Sequence, residues 1–129
     1  MSQSATILVV EDNPDNMKLM AWALEDAGYE FDCVCTAEEG LEALASGTFE
    51  LVLMDISLPG MDGKEATRRI RADARLADLP VVAVTAHAVT GEREAILDCG
   101  VTALVTKPID EELLLRVIRE CLAEKVSHA

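Results

Sequence analysis

The chain has 129 residues, of which 50% are hydrophobic and 27% are charged, a composition typical of one globular domain. Its formal net charge of −13 argues against direct binding to nucleic acid or to an anionic membrane surface, because both carry negative charge. No apolar run approaches the ~20 residues that cross a bilayer, and the N-terminus has neither the basic nor the apolar segment of a secretory signal, so we expect a cytoplasmic domain.

The first strand and the first helix follow directly from the residue pattern. Residues 6–10 form a β-branched apolar run that predicts a strand buried on both faces. Asn13 is a good helix N-cap, Pro14 suits the first helical position, and Gly28 suits the left-handed position that ends a helix. Between them, apolar side chains recur at intervals of three and four and predict the inward face: Leu19, Met20, Ala23, Leu24 and Ala27.

Four further strand–helix units follow with the same alternation. Strands are predicted over residues 31–35, 51–54, 81–84 and 103–106, and helices over 37–45, from the loop at Gly63 to about 72, over 90–98, and from the N-cap Asp110 onward. The strand over 31–35 alternates in polarity, as an edge strand does. Strands separated by helices run parallel, so we predict one α/β domain over residues 1–129, with three α-β-α layers and a core over about 6–122.

Two groups of side chains outside the main pattern also carry expectations. The arginines of the third helix are expected to be solvated, with Ala66 and Ile70 facing inward: Arg68, Arg69 and Arg71. The four cysteines have no Cys-x-x-Cys or zinc-ligand spacing: Cys33, Cys35, Cys99 and Cys121. We therefore expect free thiols in a reducing compartment, mostly packed as small apolar residues.

Side chains that can do chemistry fall at the carboxyl ends of the predicted strands. Glu11 and Asp12 follow the first strand, and Asp55 ends the third. Thr85 ends the fourth strand, and Lys107 follows the fifth. The carboxyl ends of parallel strands share one edge of a sheet, and ligands bind there where the strand order reverses. Taken singly, each residue could be an ordinary polar loop residue; together they predict one crevice.

The predicted crevice has the composition of a phosphoryl-transfer site. Three carboxylates in one crevice repel each other, so either a proton or a cation must lie among them. Oxygen ligands favour a hard ion such as Mg²⁺, which completes its shell with water and phosphate oxygens. An aspartate can form an aspartyl phosphate, while Lys107 and Thr85 offer an ammonium and a hydroxyl to phosphoryl oxygens.

Four segments resemble the signature blocks of response regulator receiver domains: VVEDN at 9–13, MDISLPGMDG at 54–63, VTAHA at 84–88 and TKPI at 106–109. The blocks have the family's order and spacing, and the resemblance extends over about residues 6–122. It implies a flavodoxin-like five-stranded parallel sheet in the order 2-1-3-4-5. It also implies a phosphorelay switch of a two-component system, which catalyses only its own phosphorylation and dephosphorylation and is not otherwise an enzyme.

The resemblance also implies roles for individual residues. Asp55 matches the phosphoacceptor. Glu11 and Asp12 match the acidic pair that binds Mg²⁺, together with Asp55 and the backbone carbonyl of Ser57. Ser57 and His87 match positions that tune the lifetime of the aspartyl phosphate.

The switch region resembles the family with one departure. Thr85 matches the hydroxyl that moves toward the phosphoryl group, and Lys107 matches the motif lysine, whose bond to Pro108 is expected to be cis. Receivers often carry Tyr or Phe three residues before this lysine, where this chain has Leu104. We therefore expect signalling to rely on Thr85 and on the loop that follows it.

The implied phosphoryl donor is a histidine kinase or a histidine phosphotransfer protein. In related receivers the first helix and the loop after the fifth strand contact the donor's helical bundle. Trp22 is predicted to lie with Lys18 and Glu25 on the polar face of that helix. It could be an isolated surface residue, could pack on a neighbouring loop, or could anchor a helical partner. A stand-alone regulator and the receiver of a hybrid kinase both fit, and Pro59 and residues 86–88 resemble the latter. No residue identifies the downstream protein.

Two other functions were weighed against the receiver. Phosphohydrolases that use an aspartate nucleophile carry a second Asp two residues after it, where this chain has Ser57, and no cap domain fits in the chain. A flavin-binding electron carrier of the same fold would need a phosphate-binding loop after the first strand and aromatic side chains around the ring. Glu11 and Asp12 would repel that phosphate, and aromatic residues make up only 3% of the chain.

Overall fold

The computed structural model describes residues 6–58, 60–86 and 90–127. Its strands are β1 (Thr6–Val10), β2 (Glu30–Val34), β3 (Leu51–Asp55), β4 (Val81–Thr85) and β5 (Ala103–Thr106). Its helices are α1 (Pro14–Ala27), α2 (Ala37–Ser46), α3 (Gly63–Ala72), α4 (Thr90–Asp98) and α5 (Glu111–Ser127). Among these helices, none has the length and apolar character needed to cross a membrane.

The five strands form one parallel sheet in the order β2-β1-β3-β4-β5, which confirms the predicted fold class and strand order. The register aligns the carboxyl ends of the strands: Val10 pairs with Met54, and Thr85 pairs with Thr106. The strand order reverses beside β1, so the residues after β1 and β3 lie next to each other at this edge.

The sheet divides the core into two layers. On one face, Ile7 and Val9 of β1 pack with buried side chains of α1 and α5, including Met20 and Ile118. On the other face, the alternate β1 residues Leu8 and Val10 pack against the side of α2 and α3. Because β1, β3 and β4 are covered on both faces, they tolerate no polar side chain until their ends, which explains their unbroken apolar runs.

The predicted helix boundaries are confirmed by their hydrogen bonds. Asn13 Oδ1 accepts from the backbone N–H groups of Asp15 and Asn16, at 2.9 and 3.1 Å. Gly28 adopts φ 85° at the end of α1, and Asp110 Oδ1 accepts from Leu113 N at 3.2 Å before α5. These contacts satisfy backbone donors that a helix end leaves unpaired.

The predicted inward face of α1 is too wide. Met20 is fully buried with Ala23 and Leu24, but Leu19 is 44% exposed and Ala27 is exposed. Successive helix residues point about 100° apart, so Leu19 lies at the margin of the stripe that Met20 centres. Ala27 is the last residue of the helix, and its side chain is not covered.

The expected burial of the cysteines is wrong for two of the four. All four cysteines are free, but Cys33 and Cys35 are exposed, while Cys99 and Cys121 are buried as expected. Cys33 lies in the outermost strand β2, and Cys35 follows that strand. Within β2, the side chains that pack against the cores are those of Phe31 and Val34.

Arg71 is half-buried rather than solvated, unlike Arg68 and Arg69, which stay exposed. Its Nε donates to Gly100 O at 2.8 Å, and its Nη1 donates to Leu79 O at 2.7 Å. Backbone carbonyls from two loops therefore take the place of water around this guanidinium.

Candidate functional site

Three carboxylates meet at the carboxyl edge of the sheet. Glu11 follows β1 and is fully buried, Asp12 beside it is exposed, and Asp55 at the end of β3 is 2% exposed. One oxygen of each lies within 4.8 Å of one oxygen of each of the others. The structure thus brings together the three acids on which the sequence argument depended.

Local backbone groups orient the two buried acids. Asn13 N donates to Glu11 Oε2 at 3.2 Å, and Ser57 N donates to Asp55 Oδ1 at 3.0 Å. The backbone of Glu11 is itself held by the sheet, since its N–H donates to Val34 O at 3.0 Å. Each acid therefore has one oxygen bonded to a local amide and a second oxygen directed elsewhere.

Lys107 reaches the same crevice from the end of β5. Its Nζ lies 3.4 Å from Glu11 Oε1 and 3.4 Å from Asp55 Oδ2, and its side chain is 16% exposed. Its backbone N–H donates to Thr85 O at 2.8 Å, which joins the ends of β4 and β5. Thr85 is 1% exposed, and the Lys107–Pro108 bond is cis, as the resemblance implies.

Burial raises the pKa of Glu11 to about 7, assisted by a hydrogen bond with Asp55 and by repulsion from it. The Asn13 amide and the Lys107 ammonium act in the opposite direction but do not cancel this effect. Among the described residues, Glu11 Oε1 is the buried side-chain polar atom that makes no hydrogen bond. A buried acceptor of this kind, within reach of two other carboxylates, fits a hard divalent cation such as Mg²⁺.

Gly63 is a site residue that the sequence argument treated only as part of a loop. A Cβ on Gly63 would lie 2.9 Å from Ile56 Cα and would also clash with the backbone oxygen of Asp55. Its N–H donates to Ile56 O at 3.1 Å. The absence of a side chain therefore lets α3 begin directly against the end of β3. A glycine at the first helical position, a few residues after a buried strand, was the available signal.

Leu104 occupies the position where related receivers often have an aromatic residue. It is half-buried and packs against the small cluster of Ile56, Ala83 and Ile96. This aliphatic contact joins β5 to α4. The other residues named for the switch or for hybrid receivers, Pro59, His87 and Ala88, lie outside the described residues.

The outer face of α1 carries two large apolar side chains. Trp22 is 57% exposed, and Leu19 three residues earlier is 44% exposed. The helix that carries them begins at Pro14, two residues after Asp12. The two interpretations of Trp22 that remain are an isolated surface residue and a partner anchor.

The chain matches the response regulator receiver domain over residues 7–119. It is 41% identical over 120 residues to the sensor protein GacS of Pseudomonas syringae pv. syringae, a match that covers 91% of this chain but only 13% of GacS. It is 36% identical over 119 residues to the polar-differentiation response regulator DivK of Brucella ovis, covering 92% of this chain and 97% of DivK.

Solved structures show the same fold. The receiver domain of the sensor histidine kinase PA1611 from Pseudomonas aeruginosa PAO1 superposes with a TM-score of 0.88 at 32% identity, covering 94% of this chain and 99% of that one. That crystal structure has a magnesium ion coordinated in its active-site cleft.

Proposed function

The chain belongs to the response regulator receiver domain family, the phosphoacceptor switches of two-component systems, and we propose that Asp55 accepts its phosphoryl group. The family acts by signalling and not by turnover of an external substrate. The observation that carries the assignment is the position of Lys107 Nζ, 3.4 Å from Asp55 Oδ2 within a cluster of three acids. The proposed donor is a phosphohistidine of a histidine kinase or a histidine phosphotransfer protein.

The proposed reaction assigns each side chain a task. A carboxylate oxygen of Asp55 forms a bond to phosphorus as the bond from phosphorus to the donor imidazole nitrogen breaks. The amide of Ser57, bonded to Asp55 Oδ1, fixes the orientation of the nucleophile. Lys107 places positive charge beside the reacting carboxylate, and the hydroxyl of Thr85 is the proposed donor to a phosphoryl oxygen.

The proposed ligands for Mg²⁺ are the carboxylates of Glu11, Asp12 and Asp55 and the backbone carbonyl of Ser57. Glu11 Oε1 supports this ligand set, because it is buried and makes no hydrogen bond, although Lys107 Nζ lies 3.4 Å away. The chemistry that a bound ion supplies is neutralisation of the negative charge on the acids and on phosphoryl oxygens. The same residues would catalyse hydrolysis of the aspartyl phosphate, with Ser57 and His87 setting its lifetime.

We place the donor's contact on α1, at an apolar patch formed by Leu19 and Trp22. Both side chains are exposed, although a soluble domain gains nothing from exposing them. An aromatic side chain on a helix is a common anchor for a helical partner. We propose that residues 1–129 form a single receiver domain that acts in the cytoplasm. Once phosphorylated, it signals by contact with another protein or by transferring the phosphoryl group onward.

Intact-mass measurement after incubation with acetyl phosphate and Mg²⁺ tests the proposal. Wild type should gain one phosphoryl group, and Asp55→Asn should gain none, because an amide is not a nucleophile toward phosphorus. Asp98→Asn, which changes an exposed aspartate on α4, is the matched control and should behave as wild type. Chelation of Mg²⁺ should prevent the gain. A phosphoryl group on Asp55→Asn, or none on wild type at saturating Mg²⁺, would refute the assignment.

A further inference from the structure

Helix α4 has a narrow apolar attachment to the sheet. Of the side chains described for it, Ile96 is fully buried and packs with Ile56 and Ala83, whereas Leu97 is 43% exposed. Cys99, just after the helix, is also buried. Both buried contacts lie toward the C-terminal end of α4, and a helix held mainly at one end can pivot more readily than one held along its whole length. What fixes its two ends therefore decides where it can move.

The C-terminal end of α4 is held firmly by Arg71 of α3. The guanidinium donates to Gly100 O at 2.8 Å and to Thr102 Oγ1 at 3.3 Å, and it also bonds the carbonyl of Leu79 at 2.7 Å. Gly100 adopts φ 110°, and a Cβ there would lie 2.9 Å from Arg71 Cγ. The turn after α4 is thus fitted closely around a half-buried, multiply bonded cation, an arrangement that resists displacement.

The N-terminal end of α4 is held by a weaker contact from the same helix. Lys64, in the first turn of α3, has its Nζ 3.5 Å from Glu92 Oε2 in the first turn of α4. The two side chains are 23% and 37% exposed. Exposed pairs of this length contribute little and are readily broken. Lys64 and Arg71 lie two turns apart on α3, so one helix holds both ends of the other.

The weak contact lies close to the reaction site along the chain. Lys64 follows Gly63, whose N–H is bonded to Ile56 O beside Asp55. Glu92 lies seven residues after Thr85, whose backbone oxygen is held by the Lys107 amide. Movement of the first turn of α4 away from the first turn of α3 would break the Lys64–Glu92 pair.

We propose that Lys64 and Glu92 are positioning residues that hold the first turn of α4 beside α3 in the unphosphorylated arrangement. The Arg71–Gly100 contact is the fixed end about which α4 turns when the pair opens. The inference rests on the proposed phosphorylation of Asp55, because it concerns how readily the chain reaches the state that accepts a phosphoryl group. A pair present in only one of two states shifts their populations by its own strength.

Charge variants test the inference through the rate of phosphorylation by acetyl phosphate at fixed Mg²⁺. Glu92→Gln and Lys64→Gln should each raise the rate about two- to fivefold, the range open to an exposed ion pair. The double variant should gain no more than either single variant, because the second change finds no pair to break. The reversed pair, Lys64→Glu with Glu92→Lys, should return the rate toward that of wild type. Glu94→Gln, on the same helix and exposed, is the control and should change nothing.

Amide hydrogen exchange by NMR supplies a second measurement that needs no phosphorylation. In Glu92→Gln, exchange should rise in the first turn of α4 and stay unchanged at Gly100. Equal rates for Glu92→Gln and Glu94→Gln, slower phosphorylation, or additive effects in the double variant would overturn the inference, as would uniform loosening of α4. No phosphoryl gain in wild type would instead refute the proposed function, while the exchange pattern would still report on the pair.

Discussion

The ammonium of Lys107 lies 3.4 Å from Asp55 Oδ2, although 52 residues separate the two in the chain. The same ammonium is 3.4 Å from Glu11 Oε1, so one positive charge serves two buried carboxylates. This sharing leaves fewer positive than negative charges in the crevice, so the stability of the protein should depend on Lys107 and on the protonation of Glu11.

Replacing Lys107 should destabilise the protein when no divalent cation is present. Lys107→Gln leaves Glu11 and Asp55 buried without a cation, and we expect the free energy of unfolding to fall by about 1–3 kcal/mol. Urea denaturation in a chelating buffer measures it. Saturating Mg²⁺ should recover part of the loss, because the ion supplies the missing charge. Lys18→Gln, an exposed lysine on α1, is the control, and an equal effect there would contradict the explanation.

The raised pKa of Glu11 makes stability depend on pH. Between its ordinary value of 4.5 and about 7, the folded state binds a proton that the unfolded state releases, so stability falls as pH rises through this window. Glu11→Gln removes the ionisation. Without divalent cations, its stability relative to wild type should therefore improve from about pH 5 to about pH 8, by at most about 3 kcal/mol. Urea titrations at both pH values measure the gap.

Magnesium provides the control for that comparison. At pH 8 the ion should stabilise wild type more than Glu11→Gln, because an ionised carboxylate binds Mg²⁺ better than an amide does. If the stability of Glu11→Gln relative to wild type stayed constant or fell between about pH 5 and about pH 8, burial of Glu11 would not favour its protonated form.

The close approach of Gly63 to the end of β3 predicts a costly substitution. Gly63→Ala places a methyl group against the backbone of Asp55 and Ile56, and we expect a loss of about 2–4 kcal/mol and slower phosphorylation. Gly28→Ala is the comparison, because it has open space around its Cβ but a φ of 85°. That strain should cost about 1 kcal/mol and leave phosphorylation unchanged. Similar losses of activity in both variants would rule out a local effect at Asp55.

The burial of the cysteines predicts two classes of thiol. Cys33 and Cys35 should react with an aromatic disulfide reagent in the native protein, while Cys99 and Cys121 should react only on unfolding. Although Cys33 is exposed, partial loss of hydration at its thiol and the negative charge of Asp32 raise its pKa, so its reaction should accelerate as pH rises above neutrality. Cys33→Ser and Cys35→Ser should each remove one fast thiol. If all four thiols reacted equally slowly in the native protein, Cys33 and Cys35 would not be exposed as the structure describes them.

Removing Trp22 should separate partner binding from chemistry. Trp22→Ala changes an exposed side chain, so the free energy of unfolding should change by no more than about 0.5 kcal/mol, and phosphorylation by acetyl phosphate should match wild type. Transfer from phosphorylated histidine phosphotransfer proteins should slow at low protein concentration, because the complex is weaker. Leu97→Ala, an exposed leucine on α4, is the control. Unaltered transfer in Trp22→Ala would remove α1 from the proposed interface.

The sequence was most informative where one local rule decides the outcome. The runs that became β1, β3 and β4 are too short for helices and too apolar for a solvated face, so burial between two helix layers was the consistent solution. Asn13 acts through side-chain hydrogen bonds to nearby backbone amides and Gly28 through its own φ angle, so neither needed tertiary information. The convergence of Asp55 and Lys107 followed from topology, because parallel strands end at one edge.

Other features depend on distances that a linear pattern does not contain. The helical period of α3 places Arg71 on the helix surface. It does not predict that the backbone carbonyls of Gly100 and Leu79 accept hydrogen bonds from its guanidinium. The exposure of Cys33 depends on β2 being the outermost strand. The role of Gly63 depends on how closely α3 approaches the backbone of Asp55.

Helix α5 begins beside the crevice and runs back along the sheet for 17 residues, about 25 Å. Its second half adjoins the start of β5, where Val117 and Cys121 share a surface hollow with Thr102 and Ala103. Thr6, the first residue of β1, lies at that same far edge. Polypeptide that preceded Thr6 or followed α5 would therefore leave from the edge of the sheet opposite to the crevice of Glu11, Asp12 and Asp55.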